Sequence, residues 1–172
     1  MTPFSTATRT PRTLCQDGGA LTAAHDCLAC DSIVARTAPG GCIHETEHWY
    51  VDHWVGPLGV GTLIVKPKRH VVHVADLDVV EAAELGVVLL QTAAVVSELE
   101  RPEQVYVTLW SHMHGVPGHV HFVVQPVTQA LMDEHGGRHG VRLQVEMFDR
   151  GVDPDPVAAA AFAERARAAW PR

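Results

Sequence analysis

The sequence predicts an α+β domain dominated by an antiparallel sheet, and three observations carry that prediction. Strand-like segments lie both before and after one long stretch of helical periodicity, an order that builds a mixed rather than strictly alternating architecture. The long stretch opens on Asp78-Val-Val-Glu81, the form of a capping box. Ala82, Leu85, Val88, Leu89, Thr92, Val96 and Leu99 then recur at three- and four-residue spacing. A second, alanine-rich helix is expected over Pro154 to Trp170.

The 172 residues, 47% of them hydrophobic, suit one soluble domain. A chain of this size buries about 70% of the surface its unfolded form exposes and needs no staples. The net charge of −7, with no basic stripe, argues against a nucleic-acid backbone as partner and leaves a nucleotide-sized ligand open. No apolar run is expected to reach the ~20 residues of a membrane span, so no membrane partner is expected. Residues 1–24, rich in Thr, Ala and Arg, lack the apolar core of a signal peptide. They read as a flexible arm, with residues 25–172 as a single domain of a cytoplasmic protein.

The elements follow in order. His25 to Asp31 meets the fold, and Asp31 to Arg36 continues as a short helical turn ended by Pro39-Gly40-Gly41. Aromatic and β-branched residues then predict a meander: Ile43 to Glu47, Trp49 to Val55, the turn Gly56 to Gly59, and Gly61 to Val65. Pro67-Lys-Arg-His70 closes that strand. The long helix runs to Glu100, where Pro102 stops it. Val105 to Trp110 and Val120 to Gln125 read as strands, with the glycine-rich turn Gly115 to Gly118 before the second. Met132 to Gly140 reads as loop, and the weak alternation of Val141 to Phe148 as a further strand.

Four of the twelve histidines, His112, His114, His119 and His121, crowd into Ser111 to Pro126. Strict alternation sets His119 and His121 on one face of an extended segment. A neutral imidazole there is a competent nucleophile toward phosphorus, and a phospho-histidine intermediate divides one hard displacement into two easier ones. The plainer reading keeps both histidines structural.

Of the four cysteines, Cys27 and Cys30 form a Cys-x-x-Cys pair suited to metal or redox work. His70 and His119 are among the histidines able to complete a tetrahedral set; alternatively the cysteines simply pack as small apolar groups. In the first hairpin, His44, His48, Tyr50, Asp52 and Trp54 share one parity. An aromatic beside a polar group there could hold a nucleobase, or serve as half-buried packing. Glu45 and Glu47 read as a solvated face.

His119-Val-His-Phe-Val-Val-Gln-Pro126 resembles the strand of the histidine triad (HIT) superfamily, His-φ-His-φ-His-φ-φ, with Val123 in place of the third His. Cys27-x-x-Cys30, the strand Gly61 to His70 with its Pro-Lys-Arg-His ending, the helix after it and the glycine-rich approach all agree, so the resemblance covers Cys27 to Pro126. It implies an α+β fold with a five-stranded antiparallel sheet, one long helix and a C-terminal helical extension, and a homodimer joined through the long helix and a strand. It further implies hydrolysis or transfer of nucleoside monophosphates through a covalent nucleotidyl-histidine, with His121 as nucleophile. Cys27, Cys30, His70 and His119 would hold a structural Zn²⁺.

The departures also have consequences. Val123 removes one donor near the phosphate, and Val116 stands where Ser or Thr often assists the leaving group. The usual ribose-binding acid falls on Trp54, with Asp52 two residues earlier on the same face as a substitute. Losing one preorganised donor costs about 10²–10³ in rate. His112 and His114, beside Ser111, are the replacements the sequence offers, titrating near neutrality. Ser111, Gly115 and Gly118 would contact phosphate.

Three functions therefore compete. The first is a zinc-containing nucleotide hydrolase or nucleotidyltransferase. The second is a nucleotide-binding or regulatory protein with weak or no catalysis. The third is a metal-dependent hydrolase with its ion among His112, His114, His119 and His121.

Overall fold

The computed structural model describes residues 27–113 and 116–171, and for residues 110–113, 116 and 117 it describes the backbone alone. Five strands, β1 (His44–Glu45), β2 (Trp49–His53), β3 (Leu63–Pro67), β4 (Gln104–Met113) and β5 (Val116–Val127), form one antiparallel sheet in the order β1-β2-β3-β5-β4. Among the described residues a 3₁₀ turn, Val74–Asp76, and five α-helices accompany it: α1 (Leu28–Ala35), α2 (Val79–Glu100), α3 (Gln129–Glu134), α4 (Val141–Arg150) and α5 (Pro156–Ala169). The α+β class and the five-stranded sheet agree with the expectation. The arm, residues 1–24, lies outside the described residues.

The sheet separates two layers because side chains alternate across it. On one face Trp49, Val51, Leu63, Val65 and Val124 pack with Val88, Val95 and Val96 of α2 and with Phe162, Ala163 and Ala166 of α5. The loop before β1 meets α5 at Gly40 (φ +75°), where a Cβ would fall 2.6 Å from the Ala163 Cβ, so glycine is needed for space as well as conformation. The opposite face is covered at two places. At one, α4 seats Leu143 and Met147 on Leu58, Val123 and Val127; at the other, Ile33 of α1 packs on Cys42 and Tyr50.

Helix α2 starts as its sequence signals. The Asp78 carboxylate accepts from the Val80 and Glu81 amides, and Glu81 accepts in return from the Asp78 amide. By length and composition alone α2 is long and apolar enough to cross a membrane, contrary to the expectation of no such run. One face, with Val88, Thr92, Val95 and Val96, is buried on the sheet; Val79, Val80, Val87 and Leu90 stand exposed.

Three other expectations are corrected. Val141 to Phe148 is helix, not strand: Leu143 and Met147 are buried four residues apart, whereas the alternating Val141 and Val145 are exposed. Gly151 caps that helix in the left-handed region. Part of the loop expected from Met132 belongs to α3, which Thr128 caps through the Leu131 amide. Glu45 is buried rather than solvated, 3.6 Å from Arg36 and 3.5 Å from Lys68, while Glu47 is exposed as expected.

Glu81 also accepts from Arg69 at 3.0 and 2.7 Å, fastening the end of β3 to the start of α2. These bonds hold its carboxyl below the ordinary value of 4.5. A depressed carboxyl contributes stability above its unfolded pKa and loses it as pH falls through the folded one. The thermal midpoint should therefore drop below about pH 4.5, and Glu81→Gln should show a smaller share of that drop in a pH series of melts.

Candidate functional site

Strand β5 carries the site, and an irregularity in its pairing aims the residues. Trp110 pairs with His121 but His112 already pairs with Pro117, so Gly118, His119 and Val120 face Ser111 alone. Bulges of this kind bend a strand and redirect side chains. Here Val120 turns its amide to the Val71 carbonyl at 2.7 Å, carrying His119 toward the end of β3 and the start of α1.

Cys27, Cys30, His70 and His119 converge there, one donor atom from each lying within 4.8 Å of the others. His119 Nδ1 is 3.6 Å from Cys27 Sγ and 3.4 Å from Cys30 Sγ, and His70 Nδ1 is 3.4 Å from Cys30 Sγ. Tetrahedral zinc with ordinary bond lengths separates sulfur and nitrogen ligands by roughly 3.5 Å. His119 Nε2–H donates to the Pro67 carbonyl at 2.9 Å, which leaves Nδ1 with its lone pair toward the cluster. Burial, foremost, lowers the His119 pKa to about 4, so the ring is neutral as a ligand must be. The residues fit a closed Cys₂His₂ zinc site. Because His119 faces the cysteines, the arrangement does not favour a metal shared between His119 and His121.

Two residues along β5, His121 is half-buried. Its Nδ1–H donates to the His119 carbonyl at 2.8 Å, so Nε2 is the unprotonated ring nitrogen. Burial pushes its pKa below the ordinary range, with the Lys66 ammonium acting in the same direction and the His119 carbonyl opposing. A neutral imidazole of fixed tautomer is what nucleophilic attack through Nε2 requires.

Trp54 lies with its ring 5.8 Å from that of His121, at 26° between planes, and packs among Leu58 and Val123. The indole thus lies against the cluster that contains Val123. Gly56 permits this, since a Cβ there would fall 2.7 Å from the indole Nε1.

Asp52 differs from its expected role. Its carboxylate is enclosed, 1% exposed, and receives Lys66 Nζ at 2.8 Å. Lys66 Nζ also donates to Ser32 Oγ of α1 at 2.7 Å. Buried and already paired, Asp52 is not presented to a ligand. Burial drives its pKa up, and Lys66 opposes that rise. Sequence reasoning missed Lys66 and Ser32; the one signal was a lysine inside an otherwise apolar strand, Leu63-Ile-Val-Lys-Pro67.

The expected glycine turn is also corrected. β5 begins at Val116 and pairs back to β4, so Gly118 belongs to a strand rather than to a loop of free amides. His114 and Gly115 lie outside the described residues. Ser111 and His112 are placed by backbone only, in β4 next to the bulge.

No family model matches the chain. No curated protein matches it either. Solved structures do. A zinc-bound histidine triad family protein from Mycobacterium smegmatis is 20% identical with a TM-score of 0.59, over 83% of this chain and 94% of that one. A HIT-like protein from Bartonella henselae, described as involved in cell-cycle regulation and solved with an unknown ligand, is 13% identical with a TM-score of 0.64, over 85% and 97%. A hypothetical protein from Leishmania major is 28% identical with a TM-score of 0.52, over 60% and 74%. These likenesses show that the chain has the histidine triad fold.

Proposed function

We propose that this protein binds a nucleotide and acts as a nucleotide hydrolase or nucleotidyltransferase through a covalent intermediate on His121. The observation that carries the reading is the bond from His121 Nδ1–H to the His119 carbonyl, which leaves the Nε2 lone pair for attack. The name of one structural neighbour, a histidine triad nucleotide-binding protein from Sulfolobus tokodaii, supports a nucleotide as ligand. Nε2 forms a bond to the α-phosphorus in line with the leaving group, whose bond to phosphorus breaks with its electron pair. An acid then protonates the departing atom. Water or another acceptor next gives its proton to the base left by that acid and attacks phosphorus, and the electron pair of the N–P bond returns to His121.

Cys27, Cys30, His70 and His119 would hold zinc as a structural ion, fastening α1 to the sheet; a closed tetrahedral site offers no position to substrate. Trp54 shields one side of His121 and orients it. His112 or His114 supplies the proton to the leaving group, with Ser111 beside them. If His112→Ala and His114→Ala both turn over substrate as fast as the parent, neither residue is the acid; a loss of about 10²-fold or more in one identifies it.

The functional test is a screen of a nucleoside phosphoramidate, a dinucleoside polyphosphate and a nucleotide sugar. Release of a nucleoside monophosphate supports the enzyme. Tight nucleotide binding without release supports the second reading, a binding or regulatory protein, which Val123 beneath Trp54 favours.

The exposed apolar residues Val79, Val80, Val87 and Leu90 of α2 suit a homodimer, and Cys27, Cys30 and Cys42, none of them in a disulfide among the described residues, suit a reducing, cytoplasmic setting. Sedimentation at micromolar concentration should give twice the chain mass; a monomer there removes the dimer.

A further inference from the structure

Lys66 is a charged residue of the His121 face that neither the zinc set nor the displacement uses. Its side chain is 4% exposed, fixed by Asp52 Oδ2 and by Ser32 Oγ. Stability is a poor reason for such a pair. Removing two charges from water is costly, and apolar residues of similar volume often hold a fold equally well or better. The pair is also incompletely satisfied, because the second carboxylate oxygen, Asp52 Oδ1, is buried with no hydrogen-bond partner. Asp52 Oδ2 and Ser32 Oγ nonetheless hold the ammonium from two different elements, β2 and α1.

The position of that ammonium is set by register. Val65 pairs with Phe122, so Lys66 and His121 are the next residues along β3 and β5 and point to the same face of the sheet. Trp54 stacks on the His121 ring, and Val123 offers no donor. A fixed cation on the same face as a nucleophile attracts an anion that the nucleophile engages. Held in place beforehand, it pays no reorganisation cost when that anion arrives.

We propose that Lys66, clamped by Asp52 and Ser32, is an electrostatic positioning residue that draws the anionic phosphate of the substrate to His121, supplying charge that the third triad position does not. This rests on the reading that the site takes a phosphate, but it does not require that His121 form a covalent bond. Ser32 lies two residues beyond Cys30, so the clamp is attached to the helix that carries Cys30 and has Cys27 as its N-cap.

Calorimetric titration of the intact protein with AMP and GMP, each against its nucleoside, tests the idea. Lys66→Met, and the double variant Asp52→Leu with Lys66→Met, which strands neither charge, should weaken the nucleotide that the parent binds by roughly 10- to 100-fold. The matching nucleoside should change by less than about threefold, and Lys66→Arg should recover most of the lost affinity. Parent-like nucleotide affinity in either folded variant overturns the proposal, as does an equal loss for nucleotide and nucleoside. A parent that binds neither nucleotide overturns both this proposal and the function above. Lys66-dependent binding with no turnover supports the positioning role while refuting the displacement; turnover through His121 that is indifferent to Lys66 does the reverse.

Discussion

Cys30→Ser is expected to abolish stoichiometric metal binding and to lower the thermal midpoint. Helix α1 has only eight residues and no side-chain cap at its N-terminus, so it is too short to persist without tertiary anchors. Those anchors are few: Ile33 against Cys42 and Tyr50, Ser32 on Lys66, and the two cysteines facing His70 and His119. Removing Cys30 takes away the thiolate nearest to both histidines, at 3.4 Å from each. A metal bound only by the folded chain adds its binding energy to folding. The expected loss is at least about 3 kcal/mol, or roughly 6–12 °C for a chain of this size. Elemental analysis should give one zinc per parent chain and none in the variant, with calorimetry reading the shift. A variant that keeps its metal, or a parent that never contains any, removes the Cys₂His₂ assignment.

His121→Ala should have the larger effect on activity. The residue contributes the atom that bonds phosphorus, so its loss removes the two-step route rather than weakening one contact. Turnover is expected to fall by about 10⁴-fold or more, while nucleotide affinity changes little. The fold should tolerate the change: His121 is half-buried, and its hydrogen bond goes to its own strand, at the His119 carbonyl. An equal collapse of stability and turnover would instead make His121 a structural histidine, the plainer reading of the sequence.

Much of this was legible in advance, for reasons that differ between elements. Helix α2 was readable because Asp78 and Glu81 mark its start and its apolar residues repeat over 22 positions. The metal quartet was not readable from Cys-x-x-Cys alone. His70 and His119 were among several histidines on offer, and the resemblance singled them out as partners for Cys27 and Cys30. Helix α4 was misread because Val141, Leu143, Val145 and Met147 fit a two-residue period, while only Leu143 and Met147, also one helical turn apart, are buried.

The site was harder still. The bulge at Gly118 to Val120 depends on pairing between strands and leaves no local signature, so the glycines looked like a turn. The burial of Asp52 depends on Lys66, fourteen residues away, and on α1, which packs over it. The stacking of Trp54 on His121 goes with the absence of a side chain at Gly56 and with its packing on the cluster that holds Val123, contacts that strand alternation does not specify.

The central claim is that His121 becomes covalently attached to the substrate. Intact-mass spectrometry of the full-length protein, quenched in acid-free buffer within seconds of mixing with an adenylated phosphoramidate or polyphosphate, tests it most directly. The account predicts a gain of one adenylyl group on the parent, mapped to His121, and no gain on His121→Ala. An adenylyl group on any other residue, or undiminished turnover by His121→Ala, would contradict it.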